Sequence, residues 1–288
     1  MPEGDTVWRV AARLAPVLVG RAVVRFEAPR LVGPRPGPGS VVRSVSPVGK
    51  HLLIAFTDRS GRAGHETPGP AGHETLVPGV LVQVHLGMSG SWHLARPGQR
   101  WPRPAHTVRV RIDTEEWVAR CFAAPLVRSS RTGSTGWPVA HLGPDLTGPE
   151  PDLVAVLARL DGEDPVRPLL DVLLDQRVAA GLGNVYKSEL LWRQRLAPEL
   201  PLGRLDQDGR QALYRQAHQL LRANLGTGPR VAAPRVPGGL AVYRRHGRPW
   251  PRCGTPIEMA RLGEHHRSTY WCSRCQASPL GPPGAAGP

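Results

Sequence analysis

Apolar residues recur at steps of three and four in two parts of this chain, the first fifteen residues and the stretch beyond residue 150. Val7, Val10, Ala11 and Leu14 predict a helix over 5–15, with Asp5 placed to cap it and Gly20 beyond its end. Pro16 removes an internal hydrogen bond and should end or kink that helix. From about 21 to 128 the pattern is that of strands, at 41–45, 51–56, 80–86 and 91–95. Val108 to Ile112 alternates, turns at Asp113-Thr114 and returns through Trp117-Val118-Ala119, which reads as a hairpin with one buried face. The sum predicts an α+β multidomain chain whose residues 2–137 form an antiparallel β-sandwich carrying an N-terminal helix.

A Pro/Gly-rich linker is expected over 138–151. Helical spacing follows at 152–160, 166–178, 184–195 and 207–224, giving a helical domain over 152–225. Residues 226–240 read as loop, 240–277 as short aromatic strands with three of the four cysteines, and 278–288 as a disordered Gly/Pro tail. Within the sandwich, 58–79 is a biased insert in which Ala63-Gly64-His65-Glu66-Thr67 recurs as Ala71-Gly72-His73-Glu74-Thr75; it reads as a flexible loop with solvated histidines.

Charge changes the picture more than composition does. Thirty-seven basic residues face 23 acidic ones across 288 residues, a net charge of +14 that suits a polyanionic partner, nucleic acid foremost. Only Lys50 and Lys187 are lysines, so each survives in a chain that otherwise uses arginine; lysine can give up its proton and arginine effectively cannot. No apolar run approaches membrane-spanning length, no signal peptide is evident, and four cysteines without an export signal fit a cytoplasmic setting.

Candidate chemistry begins at Pro2-Glu3-Gly4. Once Met1 is removed, Pro2 presents a secondary amine that is less basic than lysine and can attack a carbonyl-level carbon to form an iminium. Glu3 is a carboxyl group at fixed short range, suited to move a proton. The second signal is the run from Leu173 to Tyr186, in which Gly181 and Gly183 permit a tight turn before a helix that starts at Asn184. Its free N–H groups would form a phosphate seat.

Together these motifs resemble the formamidopyrimidine-DNA glycosylase/endonuclease VIII family, in order over nearly the whole chain apart from the insert and tail. The resemblance implies a helix–two-turns–helix domain, a zinc-finger-like β-hairpin at 240–277 and a bifunctional DNA glycosylase/AP lyase of base excision repair. Its partner would be double-stranded DNA with a damaged base or abasic site, bound by a monomer near the nucleoid of a bacterium. Pro2 matches the nucleophile that forms a Schiff base with C1′, and Glu3 the acid that protonates the opening sugar. Lys50 matches a strand lysine near a phosphate and the elimination chemistry. His85 and Asn184 match phosphate contacts, Met88 an apolar wedge that fills the hole left by a flipped nucleotide, and Glu189 a helix carboxylate facing the lesion pocket. Arg267, in Arg267-Ser268-Thr269-Tyr270-Trp271-Cys272, matches a phosphate-gripping turn and completes the implied catalytic set.

The implied zinc site departs from its pattern. Cys272 and Cys275 form one knuckle, but the other has Cys253 with Trp250 where a cysteine is expected. A tetrahedral zinc wants four ligands; His246, His265 and His266 are alternatives for the fourth, Cys121 belongs to the other domain, and a metal-free hairpin plugged by Trp250 is the other outcome. Residues 226–275 hold nine arginines against Glu258 and Glu264, so this module should grip DNA either way.

Gly4 in place of the leucine typical of the purine-specific branch, a short 224–242 loop and the sequence Cys121-Phe122-Ala123-Ala124-Pro125 favour the endonuclease VIII side, hence oxidised pyrimidines. The rivals are the purine-specific glycosylase and a non-catalytic damaged-DNA-binding protein of the same fold.

Overall fold

Leu14 and Leu18 are both fully buried, one on each side of the exposed Pro16, and they carry the first helix, α1 (Gly4–Leu18), two residues past the proline. Each buried leucine is worth about 1.5–3 kcal/mol, comparable to the roughly 3 kcal/mol that an internal proline costs. The turn is closed by Val19 N–H donating to Ala15 O at 3.0 Å. The computed structural model describes residues 2–57, 79–132 and 138–276. The 58–79 insert, except for Gly79, and the 278–288 tail lie outside those residues.

The chain forms two compact units, Met1–Pro2 with Thr6–His141 and Glu3–Asp5 with Leu142–Pro288. In the first, α1 is followed, among the described residues, by eight strands: β1 (Arg25–Glu27), β2 (Val42–Val48), β3 (His51–Thr57), β4 (Gly79–His85), β5 (Ser91–Ala95), β6 (Val108–Asp113), β7 (Val118–Phe122) and β8 (Leu126–Arg131). They form two four-stranded antiparallel sheets, ordered β2-β3-β4-β8 and β1-β6-β7-β5. Leu52, Ile54, Val82 and Val84 from one sheet share a core with Val110, Ile112, Ala119 and Cys121 from the other, and Val7, Leu14 and Leu18 of α1 join it. The alternation of 108–112 is therefore real, with Arg111 outside and Val110 and Ile112 inside. β1, three residues long, is too short to announce itself by alternation, and polar Arg128, Ser129 and Ser130 disguise β8.

In the second unit, α2 (Leu153–Asp161) and α5 (Gln207–Arg222) start on aspartate caps, Asp152 accepting from Ala155 N–H and Asp206 from Gly209 N–H, both at 2.8 Å. The expected long helix over 166–178 is instead the single turn α3 (Leu169–Val172) followed by tight turns. Pro168 holds an extended conformation ahead of it, and the Asp175 carboxylate captures Arg177 N–H at 2.9 Å and the Arg167 guanidinium at 3.0 Å, which offers the backbone an alternative to continuing the helix. α4 (Asn184–Arg193) is buried along eight of its ten residues, and the hairpin of β9 (Glu258–Leu262) and β10 (Arg267–Trp271) packs beside it. Among the described residues no helix is long and apolar enough to cross a membrane.

Candidate active site and nucleic-acid interface

The carboxylate of Glu3 is fully buried and sits on the N-terminus of α4. Its oxygens accept hydrogen bonds from the main-chain N–H groups of Gly183 (3.1 Å), Val185 (2.8 Å) and Tyr186 (3.3 Å). Those orphan donors and the positive end of the helix dipole make this a natural anion seat. The sequence reading gave that seat to a phosphate; here the chain's own glutamate takes it. Gly183 has no room for a side chain, since a Cβ would lie 2.5 Å from Glu3 Cδ. Gly4 is confined too: its N–H donates to Gly181 O at 2.9 Å, and a Cβ would meet Gly181 Cα at 2.9 Å. Gly181 itself has φ +110°, which explains the Gly-x-Gly spacing before α4.

Asp5, expected as a helix cap, lies inside the first turn of α1 and serves another purpose. Its fully buried carboxylate meets Arg230 in a two-pronged pair, Nε to Oδ2 at 2.9 Å and Nη2 to Oδ1 at 2.5 Å. Arg230 also comes within 4.0 Å of Glu3 Oε1 and lies over the Tyr186 ring, 4.8 Å from its centroid. Arg230 carried no signal in the sequence, because nothing in spacing marks an arginine inside a Gly/Pro/Arg-rich loop, and Tyr186 stood there only as the end of the Leu173–Tyr186 run.

Asn184 Nδ2 donates to Ser268 O at 2.6 Å, which puts the first residue of α4 beside Arg267 on β10. Arg267 is exposed and Asn184 almost wholly buried, so the guanidinium is the reachable member of this pair. Lys187 is fully buried and donates to Thr269 Oγ1 at 2.7 Å, a second strut between α4 and the hairpin. Burial, with Arg267 nearby, pushes its ammonium down to about 8, against the opposing pull of Asp171 and Glu3. The hairpin turn is tied down as well, Glu264 N–H donating to Asp171 Oδ1 at 3.0 Å. Glu189 differs from its expected role: in place of facing a pocket, its buried carboxylate accepts from the N–H groups of Ala241 (2.8 Å), Val242 (3.0 Å) and Tyr243 (2.8 Å). It anchors the end of the loop before the hairpin.

In the first unit, Lys50 stands in the turn between β2 and β3, made by Gly49 at φ +56°. His51 and His85 face each other across β3 and β4 with ring centroids 4.9 Å apart. Burial first, then the charges of His85, His141 and Lys50, lowers His51 to about 4, and burial and Lys50 lower His85 as well. Both rings are thus neutral near pH 7. His85 Nδ1 accepts from Gly87 N–H at 3.2 Å, which leaves its proton on Nε2, a neutral donor. The next turn carries Met88 with 70 % of its surface exposed. Such exposure of an apolar, flexible side chain fits a wedge better than a packing residue. Pro2, the remaining member of the expected set in this unit, is half-buried.

Cys253, Cys272 and Cys275 converge, all three Sγ atoms lying within 4.8 Å of one another, with Cys253 Sγ 3.5 Å from both others. His246, His265 and His266 are not part of the group, and Cys121 is buried in the core of the first unit, its thiol pushed up to about 12 by that burial. Trp250 is 6 % exposed and stacks edge-on against Trp192, with centroids 4.7 Å apart. The two turns match: Cys253 and Gly254 N–H donate to Trp250 O, as Cys275 and Gln276 N–H donate to Cys272 O. Trp250 therefore occupies in one turn the place that a ligand occupies in the other.

Comparison with known proteins resolves what this assembly is. Residues 1–125 match the formamidopyrimidine-DNA glycosylase N-terminal domain, 142–232 its H2TH domain, and 251–277 the zinc finger found in FPG and IleRS. The chain is 41 % identical over 289 residues to "Probable endonuclease 8 2" of Streptomyces coelicolor, covering 99 % of this chain and 97 % of that one. The chain belongs to the formamidopyrimidine-DNA glycosylase/endonuclease 8 family. It is also 35 % identical, over 96 % of its length and all of the relative's, to "DNA-(apurinic or apyrimidinic site) lyase Nei2" of Mycolicibacterium smegmatis. The fold superposes with a TM-score of 0.74 at 21 % identity on a structure described as MutM in complex with carbocyclic 8-oxo-G containing DNA, covering 96 % of this chain and 100 % of that one.

The finger match and the cysteine cluster give zinc as the metal. Sulfurs on a tetrahedral zinc with bonds of about 2.3 Å lie roughly 3.8 Å apart, so the three thiolates fit three corners. Zinc there would cross-link the Cys253 turn to the Cys272–Cys275 turn, a structural duty that leaves the chemistry to other residues.

Proposed function

We propose that the chain is a bifunctional DNA glycosylase and abasic-site lyase acting on oxidised pyrimidines, with Pro2 as nucleophile. The observation that carries this reading is the clamp on Glu3. Its carboxylate, gripped by three N–H groups, fixes the main chain one residue after Pro2, so the amine is presented at a set place. Effective molarity of that kind is what a weak nucleophile needs.

With Met1 removed, the free Pro2 nitrogen attacks C1′, the bond from C1′ to the damaged base breaks, and the base leaves with the N–H proton that the now cationic nitrogen sheds, which restores the nitrogen lone pair. The C1′–O4′ bond then opens; Glu3 supplies the proton to O4′, and the nitrogen lone pair forms the cationic C1′=N iminium. That cation acidifies the 2′ hydrogen, whose loss expels the 3′ phosphate; loss of the 4′ proton then expels the 5′ phosphate, and water hydrolyses the iminium to free Pro2. Lys50 holds a phosphate beside this chemistry. His85 offers a neutral Nε2–H donor to another phosphate. Arg267 takes the phosphate nearest α4, with Asn184 locking the strand that bears it. Met88 fills the space vacated by the flipped nucleotide.

Gly4 supports the pyrimidine preference, because its contacts with Gly181 and Thr147 leave no room for a leucine. Base release from duplexes holding thymine glycol or 8-oxoguanine tests the reading. Faster release of thymine glycol is expected; faster release of 8-oxoguanine would assign the chain to purine lesions, and release of neither would remove the glycosylase step.

A further inference from the structure

Residues 3–5 group with the second unit, although the chain on either side of them groups with the first. Glu3 and Gly4 hold this short segment by bonds to main-chain groups of 181–186. Asp5 depends on a side chain, Arg230. The guanidinium takes Asp5 with Nε (2.9 Å) and Nη2 (2.5 Å), which brings Nη1 within 4.0 Å of Glu3 Oε1. Its face rests on the ring of Tyr186, the residue whose N–H also reaches Glu3. Arg230 has little freedom of its own. The next residue, Val231, exchanges two bonds with the Asn224 side chain, at 2.7 and 3.0 Å, and Gly239 O accepts from Ala232 (2.7 Å) and Ala233 (2.8 Å).

Burying one guanidinium among two carboxylates adds little to stability, because desolvation offsets the attraction and well-packed apolar side chains would serve as well. What the planar fork of donors supplies, and apolar groups cannot, is orientation. Orientation matters where the segment held ends in a reacting group, since a misplacement of about 1 Å costs on the order of 10²-fold in rate. We propose that Arg230 is a positioning residue for the glycosylase and lyase reaction, setting the Pro2 amine and the Glu3 carboxylate in place through Asp5. The inference rests on Pro2 being the nucleophile. Arg230 takes no phosphate in this role: its side chain is 12 % exposed and its fork is already committed to Asp5.

The test uses the full chain with Met1 removal verified by mass. Strand cleavage at an abasic site, in single turnover at saturating protein, reads the chemistry. Anisotropy on a duplex with tetrahydrofuran in place of the abasic sugar, which cannot form an iminium, reads the affinity. Arg230→Gln should slow cleavage about 10²-fold and leave the Kd unchanged. Arg230→Lys keeps the charge but not the fork, so it should recover only part of that rate. Asp5→Asn should also slow cleavage, and combining it with Arg230→Gln should be no slower than the slower single variant, as expected of one network. A loss found in Kd instead of rate would make Arg230 a DNA contact and overturn the proposal. So would losses that multiply in the double variant. Where Arg230→Gln does not fold, Arg230→Lys decides: a wild-type rate there would also overturn it. A wild type that cleaves nothing and gives no borohydride-stable adduct would remove the Pro2 reading and this inference with it; an active wild type with variants of equal rate would remove this inference alone.

Discussion

Glu3 Oε1 lies 2.8 Å from the main-chain nitrogen of Val185, 182 residues further along the chain. That contact, with those to Gly183 and Tyr186, locks the residue after the proposed nucleophile onto the start of α4. It requires an acceptor at both carboxylate oxygens, because all three partners are donors.

Glu3→Gln should therefore act twice. The amide places N–H groups against main-chain N–H groups, and leaving a buried donor unsatisfied costs about 1–3 kcal/mol of stability. It also cannot supply the proton for sugar opening, so base excision should fall by about 10²–10⁴, with a smaller loss in cleavage at a preformed abasic site. Single-turnover assays on both substrates, beside thermal melting, separate the two effects. Equal loss on the two substrates would assign Glu3 a purely structural role.

Lys187 gives a pH prediction with a definite sign. Its folded ammonium is lowered to about 8 from an ordinary 10.5, chiefly by burial. Between those values the unfolded chain binds more protons than the folded one, so stability rises with pH across the window. Below about pH 8 the full cost of the buried charge is present, about 3 kcal/mol, offset in part by the bond to Thr269. Lys187→Met removes the titration, and Thr269 Oγ1 keeps its own bond to Arg267 O. Urea unfolding at about pH 7 and about pH 10 should show the variant's advantage over the wild type shrinking at the higher pH. An advantage independent of pH would mean that Lys187 titrates as an ordinary lysine.

Trp250→Cys should strengthen metal binding while weakening the metal-free hairpin. Removing a buried indole costs about 3–5 kcal/mol, but a fourth thiolate adds to a binding free energy on the order of 10–16 kcal/mol for structural zinc. Metal content by mass spectrometry before and after mild chelation is the measurement. The wild type should lose zinc to a chelator that leaves the variant loaded; equal retention would show that the wild-type site is already complete.

These residues also show what could be read from sequence alone. The cysteine trio was legible because metal ligation depends on residue type at fixed spacing, whereas the roles proposed for Pro2, Glu3 and Lys50 rest on the family resemblance. Lys187 was marked by lysine's scarcity, though its burial beneath the hairpin was not. Where an assignment needed tertiary geometry, sequence misled. The α4 N-terminus was read as a seat for phosphate, and its donors are consumed by Glu3, 180 residues from Gly183. Glu189 was read as facing a pocket, and its partners are main-chain donors more than 50 residues away. The helix over 166–178 failed because periodicity cannot register Asp175 gathering Arg167 and Arg177. Asp5 pairing with Arg230 is legible only once a loop 225 residues away has folded back.

A bond from the Pro2 nitrogen to C1′ is the step on which the proposed activity depends. Borohydride reduces an iminium to a stable amine, so the wild type, with removal of Met1 verified by mass, is incubated with duplex DNA bearing one abasic site in the presence of borohydride. A one-to-one covalent adduct that survives denaturation is expected, with the linkage mapped by peptide mass to Pro2 and lost in Pro2→Gly. An adduct mapped to Lys50, or none from the processed wild type, would contradict it.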